Sequence, residues 1–157
     1  MNYNNLAKSY NELHKEEQLN KLRIIKNHID IKKSDRLLDV GCGTGISFGL
    51  FNCNCYGIDP SKELVKQYNG EAKITIAEAE SIPYPDNFFD IIISVTAMHN
   101  FEDIKKAIEE IRRVGKDKFA FSVLKNSKNY FEIRELLENN FKIKKIIEER
   151  KDLVFII

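Results

Sequence analysis

Three glycines spaced two residues apart follow a short apolar segment and form the part of the sequence best suited to hold a ligand. Leu37–Gly45 reads Leu-Leu-Asp-Val-Gly-Cys-Gly-Thr-Gly. Glycine has no Cβ, so the backbone at Gly41, Gly43 and Gly45 can adopt positive φ and let a ligand approach the main chain. A helix predicted to begin near Thr44 would direct free N–H groups and its positive dipole end at that ligand. The pattern predicts a cradle for a nucleotide-like molecule.

A carboxylate beyond the glycines is the second feature with a chemical use. Asp59 ends another short apolar segment, and its oxygens could accept charge-assisted hydrogen bonds from both hydroxyls of a ribose. Aspartate is also a common N-cap, so capping of the next helix is the alternative role. The two roles are compatible, because a carboxylate has several lone pairs.

The spacing of the glycines argues against two common phosphate-binding loops. The dinucleotide fingerprint requires Gly-x-Gly-x-x-Gly, and position 46 is Ile. A Walker loop requires Gly-Lys followed by Ser or Thr, and no such sequence follows. A ligand that carries a ribose but no phosphate fits this chain better.

Composition indicates one globular domain without a broadly basic surface. The chain has 157 residues, 43% of them hydrophobic and 31% charged, with a net charge of +1. These values are ordinary for a single soluble domain, and the balanced charge gives no reason to expect a surface that coats nucleic acid. No run approaches the ~20 apolar residues of a membrane span. We therefore expect a cytoplasmic protein with no membrane partner.

The cysteines predict neither a disulfide framework nor a metal site. Their number is odd, and Cys42 lies inside the glycine turn. Cys53 and Cys55 have no His or Cys close enough in sequence to complete a zinc site. We expect buried thiols in a reducing compartment and no bound metal.

Hydrophobic periodicity predicts the elements that position these residues. Apolar residues at helical spacing predict a helix over 1–30 and further helices over about 44–52, 61–68, 104–114 and 130–140. Short apolar or alternating runs between turn signals predict strands at Arg36–Val40, Cys55–Ile58, Lys73–Ala77, Asp90–Val95, Lys118–Val123, Lys142–Ile147 and Leu153–Ile157.

The order of these elements predicts an α/β fold. A leading helix, five strand–helix units and a terminal hairpin specify right-handed crossovers and a parallel sheet covered by helices. The charged turn around Arg150–Asp152 is so short that the last two strands must be antiparallel. Residues 1–157 are therefore predicted to form one domain, with a helical segment over 1–30 and an α/β core over 36–157. In such a sheet the ligand lies beyond the carboxyl ends of the strands, where the strand order reverses.

Three segments, in order, resemble the class I S-adenosylmethionine-dependent methyltransferases. Leu37–Gly45 is similar to the first motif of that family, Gly57–Ser61 to the second, and Ala77–Asp90 to the loop and strand that hold the adenine. The similarity covers nearly the whole chain and is greatest to the ubiquinone/menaquinone-type and small-molecule branch. It implies a Rossmann-like, doubly wound, mostly parallel seven-stranded sheet with a C-terminal antiparallel hairpin and an N-terminal helical lid. It also implies S-adenosylmethionine as cofactor and S-adenosylhomocysteine as product.

The resemblance assigns roles to individual residues. Main-chain groups of Gly41 to Gly43 would border the methionine moiety of the cofactor. Asp39 would hold the ammonium of that moiety, or would only organise the glycine turn. Asp59 would take the ribose hydroxyls. Glu78 stands where the family often has Asp and would accept a hydrogen bond from the adenine amino group.

Two further segments complete the implied cofactor site. The Ala79 N–H would donate to the adenine ring, and the segment around Tyr10 is similar to one that folds over the cofactor. Tyr10 would reach the methionine carboxylate, or would belong to a packing face. The predicted cofactor-binding residues are Tyr10, Asp39, Gly41, Cys42, Gly43, Gly45, Asp59, Pro60, Glu78, Ala79, Glu80 and Val95.

The sequence leaves the methyl acceptor open. His99 follows the fourth strand, where the family often has substrate-facing residues, and is the candidate general base; the alternative is a hydrogen bond to a loop carbonyl. The Asn/Asp-Pro-Pro-Tyr signature of enzymes that methylate exocyclic amines of bases is missing at this position. Three interpretations remain: methyl transfer by direct in-line displacement to a small molecule, transfer to RNA or protein with a helper subunit, and a non-catalytic cofactor-binding regulatory module.

Overall fold

A seven-stranded sheet is the centre of the computed structural model, which describes residues 3–157 and their side chains from Glu12 onward. Its strands, in the spatial order β3-β2-β1-β4-β5-β7-β6, are β1 Arg36–Val40, β2 Asn54–Asp59, β3 Lys73–Ile76, β4 Phe89–Val95, β5 Gly115–Leu124, β6 Lys145–Glu149 and β7 Asp152–Ile156. The α-helices within residues 3–157 are α1 Tyr3–His28, α2 Lys62–Val65, α3 Ile104–Val114 and α4 Tyr130–Asn140. Two short 3₁₀ turns, Ile46–Gly49 and Met98–Asn100, follow β1 and β4.

The strand order confirms the predicted doubly wound, mostly parallel sheet. Strands β1 to β5 are parallel to one another, whereas β7 pairs antiparallel with both β5 and β6. The chain moves outward from β1 to β3 and then crosses back to β4 on the other side of β1. The order therefore reverses between β1 and β4, where the carboxyl ends of two adjacent strands are followed by loops that diverge.

Both faces of the sheet are buried against helices. On β4, Ile92 belongs to the cluster that includes α3 and α4, whereas Ile91 and Ile93 belong to the cluster that includes α1. This alternation follows from the two-residue side-chain period of a strand. Helix α3 is amphipathic, and its core-facing residues are Ile104, Ala107, Ile108, Ile111 and Val114. The predicted continuous apolar run of β4 is thus a strand covered on both faces.

The last turns of α1 pack into the core. Leu22, Ile25 and Ile29 are buried against β1 and β4 residues such as Leu37 and Ile91. The helical segment predicted over 1–30 is therefore tied to the sheet at its C-terminal end. Tyr10 lies outside the residues whose side chains the structure describes.

Several predicted element boundaries were wrong. The helix expected over about 44–52 is only the 3₁₀ turn Ile46–Gly49, because the chain keeps positive φ as far as Gly45. The next helix, α2, ends at Val65 rather than Tyr68. The ring of Tyr68 lies over Gly45 and Gly70.

The number of strand–helix units and the limits of β5 and β6 also differ from the prediction. The connection between β3 and β4, which was predicted as a loop, contains no helix in the described structure, so the chain has fewer strand–helix units than the five expected. Strand β5 begins at Gly115, three residues earlier than predicted, and β6 is shifted to Lys145–Glu149.

No helix in the described range 3–157 is both long and apolar enough to cross a bilayer.

Candidate active site

A cavity of about 1210 Å³ lies at the carboxyl ends of the parallel strands. Its walls come from the loops after β1, β2, β3 and β4 and from the cavity-facing side of α1. This is the edge of the sheet at which an open α/β fold binds its ligands. The cavity has two halves that meet at Val95–Ala97: a glycine-turn half beside β1, β2 and β3, and an α1 half beside α1, β5 and β7.

The glycine turn after β1 is a tight main-chain structure with left-handed backbone. Gly41, Gly43 and Gly45 have φ of 79°, 54° and 82°. The Gly41 N–H donates to the carbonyl of Ile58 at 2.8 Å, and a Cβ at position 41 would lie 2.7 Å from the Cβ of Ala97. Glycine is therefore required at position 41 both by its φ and by the space available.

The predicted turn residues do not all face the cavity. Gly41, Cys42, Gly43 and Thr44 line it, whereas Gly45 is buried beneath the ring of Tyr68 and does not. Gly45 thus shapes the turn rather than contacting a ligand from the described position.

Asp59 ties the glycine turn to the end of β2. Its Oδ2 accepts a hydrogen bond from the Gly43 N–H at 2.9 Å, and its Oδ1 accepts one from the Ser61 N–H at 2.8 Å. Ser61, not Asp59, is the N-cap of α2, because its Oγ accepts from the Leu64 N–H at 3.2 Å. The alternative capping role for Asp59 was therefore wrong. Each of its oxygens keeps a lone pair for a donor in the cavity.

Asp39 has a buried oxygen without a hydrogen bond. The residue is 4% exposed, and its Oδ2 accepts from the Ser47 hydroxyl at 2.5 Å. Its Oδ1 is buried and accepts no hydrogen bond from the described residues. Burial raises the pKa of Asp39 to about 7; the Ser47 hydrogen bond opposes this shift and the charge of Asp59 adds to it. A cationic group in the cavity would satisfy this oxygen and favour the ionised form.

Ser47 is a site residue that the sequence did not reveal. It is 2% exposed and lies on the 3₁₀ turn that replaces the expected helix. Its spacing from Asp39 matches no common motif, so only the turn geometry brings the two side chains together.

The loop after β3 forms the far wall of the glycine-turn half. Glu78 is exposed and Ala79 is buried, and both line the cavity with Pro60 on the neighbouring loop. Glu80 also lines it, but its Oε1 accepts from the Asp103 N–H at 3.1 Å. Asp103 in turn caps α3 by accepting from the Lys106 N–H at 3.1 Å. Glu80 therefore has a structural role at the start of α3.

Arg113 on α3 holds the same loop in place. Its guanidinium donates to the main-chain carbonyls of Ile82 and Tyr84 at 3.0 Å and 2.9 Å. It also pairs with Glu110 at 2.7 Å and with Asp86 at 2.9 Å, and these partners raise its pKa. Arg113 thus supplies hydrogen-bond donors to two main-chain carbonyls of this loop.

A polar network surrounds Thr96 in the α1 half. Lys21 Nζ donates to Thr96 Oγ1 at 3.0 Å and lies 3.2 Å from Asp152 Oδ1. Thr96 Oγ1 donates to Asp152 Oδ2 at 2.8 Å, and the Thr96 N–H donates to Ser122 Oγ at 2.9 Å. The Lys21 and Asp152 side chains are only 5% and 0% exposed. Sequence reasoning missed this network, because its members belong to α1, β4, β5 and β7.

Thr96 has a strained backbone. Its φ is 50°, in a region that a β-branched residue rarely occupies, and such a conformation costs about 1–3 kcal/mol. The surrounding hydrogen bonds compensate for that cost and keep Thr96 at the boundary of the two halves.

His99 lines the α1 half and is half-buried. Burial lowers the pKa of its imidazole, a shift that the charge of Asp152 opposes and that of Lys21 reinforces. The ring makes no hydrogen bond to a described residue, whereas the His99 main-chain carbonyl accepts from Asn129 Nδ2 at 3.2 Å. The imidazole is therefore held in its neutral form at neutral pH and could accept a proton.

Two predicted cofactor-binding residues remain, Cys42 and Val95, and so does the question of a metal site. Cys42 is buried against Gly57, and burial raises the pKa of its thiol well above the usual range. Val95 lines the cavity at the end of β4. In the part of the chain that the structure describes, no three His, Cys, Asp or Glu side chains are grouped to hold a metal.

Comparison with known proteins identifies the family. A family model described as "Methyltransferase domain" matches residues 38–121, which is just over half of the chain. The matched segment begins in β1 and ends in β5, so it contains the glycine turn, Asp59 and the loop after β3.

Two relatives are about one third identical to this chain over the aligned segments. The uncharacterized protein MJ1252 of Methanocaldococcus jannaschii is 34% identical over 160 residues, covering 97% of this chain and 62% of that protein. The uncharacterized methyltransferase YcgJ of Bacillus subtilis is 35% identical over 96 residues, covering 54% of this chain and 38% of that protein. The chain therefore spans less than two thirds of the length of either relative.

Solved structures show the same fold. The crystal structure of YcgJ has a TM-score of 0.61 and 31% identity, covering 67% of this chain and 50% of that one. A SAM-dependent methyltransferase from Aquifex aeolicus has a TM-score of 0.72 and 20% identity, covering 89% of each chain. The chain therefore belongs to the methyltransferase domain family and has its Rossmann-like fold.

Proposed function

We propose that this domain binds S-adenosylmethionine and transfers its methyl group to a small molecule, as in the ubiquinone/menaquinone-type and small-molecule branch. The observation that carries the cofactor is the buried Asp39 Oδ1 at the glycine turn, which accepts no hydrogen bond. The α-ammonium of a methionine moiety would satisfy this oxygen. Asp59 has lone pairs left for two ribose hydroxyls, and the Gly41–Gly43 main chain allows close approach.

The residues of this chain bind the cofactor and orient it towards the acceptor. When bound, S-adenosylmethionine supplies an electrophilic methyl group on its sulfonium. Asp39 and Asp59 would hold the two ends of the methionine–ribose unit, and Glu78 and Ala79, which line the cavity, would contact the adenine. Alignment of an acceptor in the α1 half with that methyl contributes through proximity. His99 receives the proton that the acceptor loses.

Relatives act on different classes of acceptor. The ajmaline N-methyltransferase of Rauvolfia serpentina is 34% identical over 96 residues, and a tRNA (carboxymethyluridine(34)-5-O)-methyltransferase of Arabidopsis thaliana is 38% identical over 86 residues. A Haloferax volcanii methyltransferase of similar fold was solved with the activator Trm112. RNA or protein methylation with a helper subunit is therefore the second candidate.

The charge of the cavity favours the small molecule. Among the described residues, the cavity is lined by three lysines, Lys15, Lys21 and Lys151, and by seven carboxylates, Glu17, Asp39, Asp59, Glu78, Glu80, Glu102 and Asp152. A polyanionic acceptor would need an excess of positive charge at the cavity.

The free cysteines fit a reducing compartment, and we place the protein in the cytoplasm.

Thermal unfolding in the presence of ligands tests the cofactor. S-adenosylmethionine and S-adenosylhomocysteine should each raise the melting temperature, with about 2.7 kcal/mol of stabilisation at a hundredfold excess over Kd. Asp59→Asn should lose most of this shift, whereas Asp117→Asn, an exposed aspartate on β5, should keep it. A shift with NAD and none with either methionine derivative would contradict the proposal.

Methyl transfer separates the candidate acceptors. The protein is incubated with methyl-labelled cofactor and cell extract, and the label is followed into small molecules, RNA and protein. We expect label in the small-molecule fraction. Label in RNA or protein supports the second candidate, and cofactor binding with no transfer to any fraction supports a non-catalytic regulatory module.

A further inference from the structure

The polar network around Thr96 contains a lysine with an unused donor beside the cavity. Lys21 Nζ carries three protons; one is donated to Thr96 Oγ1, and the nitrogen is in ion-pair contact with Asp152. No other acceptor contacts it among the described residues. Because Lys21 lines the cavity, a ligand in the α1 half can take the remaining donor.

The Asp152 carboxylate neutralises the charge of the Lys21 ammonium. Its side chain has no exposed surface and Lys21 keeps 5%, so the carboxylate is the deeper partner. Asp152 Oδ1 is buried and accepts no hydrogen bond from the described residues. Its negative charge is therefore compensated by the Lys21 ammonium, which lies 3.2 Å away. The pair thus presents a hydrogen-bond donor without a net charge.

A buried ion pair of this kind is not explained by stability. Well-packed apolar residues of similar size are often equal or better in such a position. The pair also lies beside Thr96, the strained residue at the boundary between the two halves, whose successor Ala97 packs against Gly41.

Apolar side chains also line the cavity on the side of α1. Leu13 and Leu22 belong to α1, Leu124 is paired with Asp152 in the sheet, and the half-buried His99 follows β4. An acceptor with a carboxylate beside Lys21 would compete with Asp152 and leave an unpaired buried anion, and an amine would leave an unpaired buried cation. An uncharged oxygen avoids both costs.

We propose that Lys21, neutralised by Asp152 and held by Thr96, donates a hydrogen bond to an uncharged oxygen of the methyl acceptor and so selects neutral acceptors with an apolar body. The inference rests on the proposed methyltransferase function and specifies its substrate class. The methyl group leaves the sulfonium sulfur with the S–C bond electrons remaining on sulfur. A lone pair of the acceptor forms the new bond to carbon, and the acceptor's proton passes to His99.

Three probes of one shape test this selection. Benzamide, benzoate and benzylamine share a single ring and differ in charge, and their binding is measured by ligand-observed NMR with and without S-adenosylhomocysteine. The wild-type protein should bind benzamide at least about tenfold more tightly than either charged probe. Preference for benzoate or benzylamine, or binding of none of the three, would overturn the proposal.

Variants connect the selection to the ion pair. Asp152→Asn leaves Lys21 as a net cation and should shift the preference to benzoate. The double variant Lys21→Met/Asp152→Leu removes both charges together, so it leaves no lone buried charge, and it should lose the preference for benzamide. Lys26→Met, an exposed lysine on the same helix outside this cavity, is the matched control and should keep the wild-type preference.

The double variant decides the test if Asp152→Asn does not fold. A double variant that keeps the wild-type probe preference would show that the pair selects nothing. Failure of the methyltransferase proposal is recognised separately, because S-adenosylhomocysteine would then give no thermal shift with the wild-type protein. The probe preference measured without that ligand still tests Lys21.

Discussion

At the scale of single residues, the two buried carboxylates of the glycine-turn half differ in the hydrogen bonds that their oxygens accept. Asp59 accepts main-chain hydrogen bonds on both oxygens, whereas Asp39 has one oxygen that accepts none. The sequence predicted both positions from the motif resemblance. It could not show which carboxylate is satisfied, because that depends on where the Gly43, Ser61 and Ser47 donors point.

Asp39 should make cofactor binding depend on pH. Its pKa of about 7 means that the carboxyl is largely protonated below neutrality and ionised above it. Only the ionised form attracts an ammonium, so the affinity for S-adenosylhomocysteine should rise about tenfold between about pH 6 and pH 8. Isothermal titration calorimetry on the wild type and on Asp39→Asn measures this dependence. A variant with the same slope as the wild type would exclude Asp39 as its source.

The same residue should affect the stability of the ligand-free protein. The folded state raises the pKa of Asp39 above its ordinary 3.8, so it holds this proton when the unfolded chain has lost it. The contribution of Asp39 to stability is therefore present below about pH 4 and is lost as the pH rises towards about 7. Asp39→Asn should be more stable than the wild type at alkaline pH in urea unfolding without ligand.

Gly41 should tolerate no side chain. Its φ of 79° and the 2.7 Å distance that would separate an added Cβ from the Cβ of Ala97 predict that Gly41→Ala costs about 1–3 kcal/mol in the free energy of unfolding. Gly49→Ala is the matched control, since φ is not positive there and no atom lies within 4 Å of an added Cβ. Urea unfolding measures both variants, and equal stability of the two would contradict the requirement.

At the scale of elements, strands and long helices were predicted well and the segments around the cavity were not. α3 and α4 have the predicted limits of 104–114 and 130–140, because their periodic apolar faces are read directly from local sequence. The helix expected after the glycine turn is only a 3₁₀ turn, and the loop after β3 depends on Arg113. Such features depend on partners that are distant in sequence.

Arg113 should be the residue that keeps the loop after β3 in place. Arg113→Met leaves the carbonyls of Ile82 and Tyr84 without their donor and should cost about 1–3 kcal/mol in urea unfolding. The affinity for S-adenosylhomocysteine should fall as well, because Glu78 and Ala79 belong to this loop. Arg112→Met, at the exposed neighbouring position, should change stability by no more than about 0.5 kcal/mol. Equal effects of the two substitutions would remove the role of Arg113.

At the scale of the whole molecule, balanced charge limits what this chain binds by itself. The net charge is +1, and among the described residues that line the cavity the carboxylates outnumber the lysines. Bulk tRNA should therefore bind no more tightly than non-specific complexes at physiological salt, with a Kd of about 10⁻⁴–10⁻⁶ M. Filter binding over a range of salt concentrations measures this. Tight binding with a steep salt dependence would favour the RNA acceptor instead.

The sequence alone determined the fold class, the glycine turn and the carboxylate after β2, because each follows from residues that are neighbours in the chain. Tertiary structure decided the α1 half of the cavity. Lys21 and Thr96 are 75 residues apart, and Thr96 and Asp152 are 56 apart. They meet because the strand order places β7 beside β5 and β5 beside β4, with α1 packed across them. Local periodicity contains no information about that order, so the glycine-turn half could be read from the sequence and the α1 half could not.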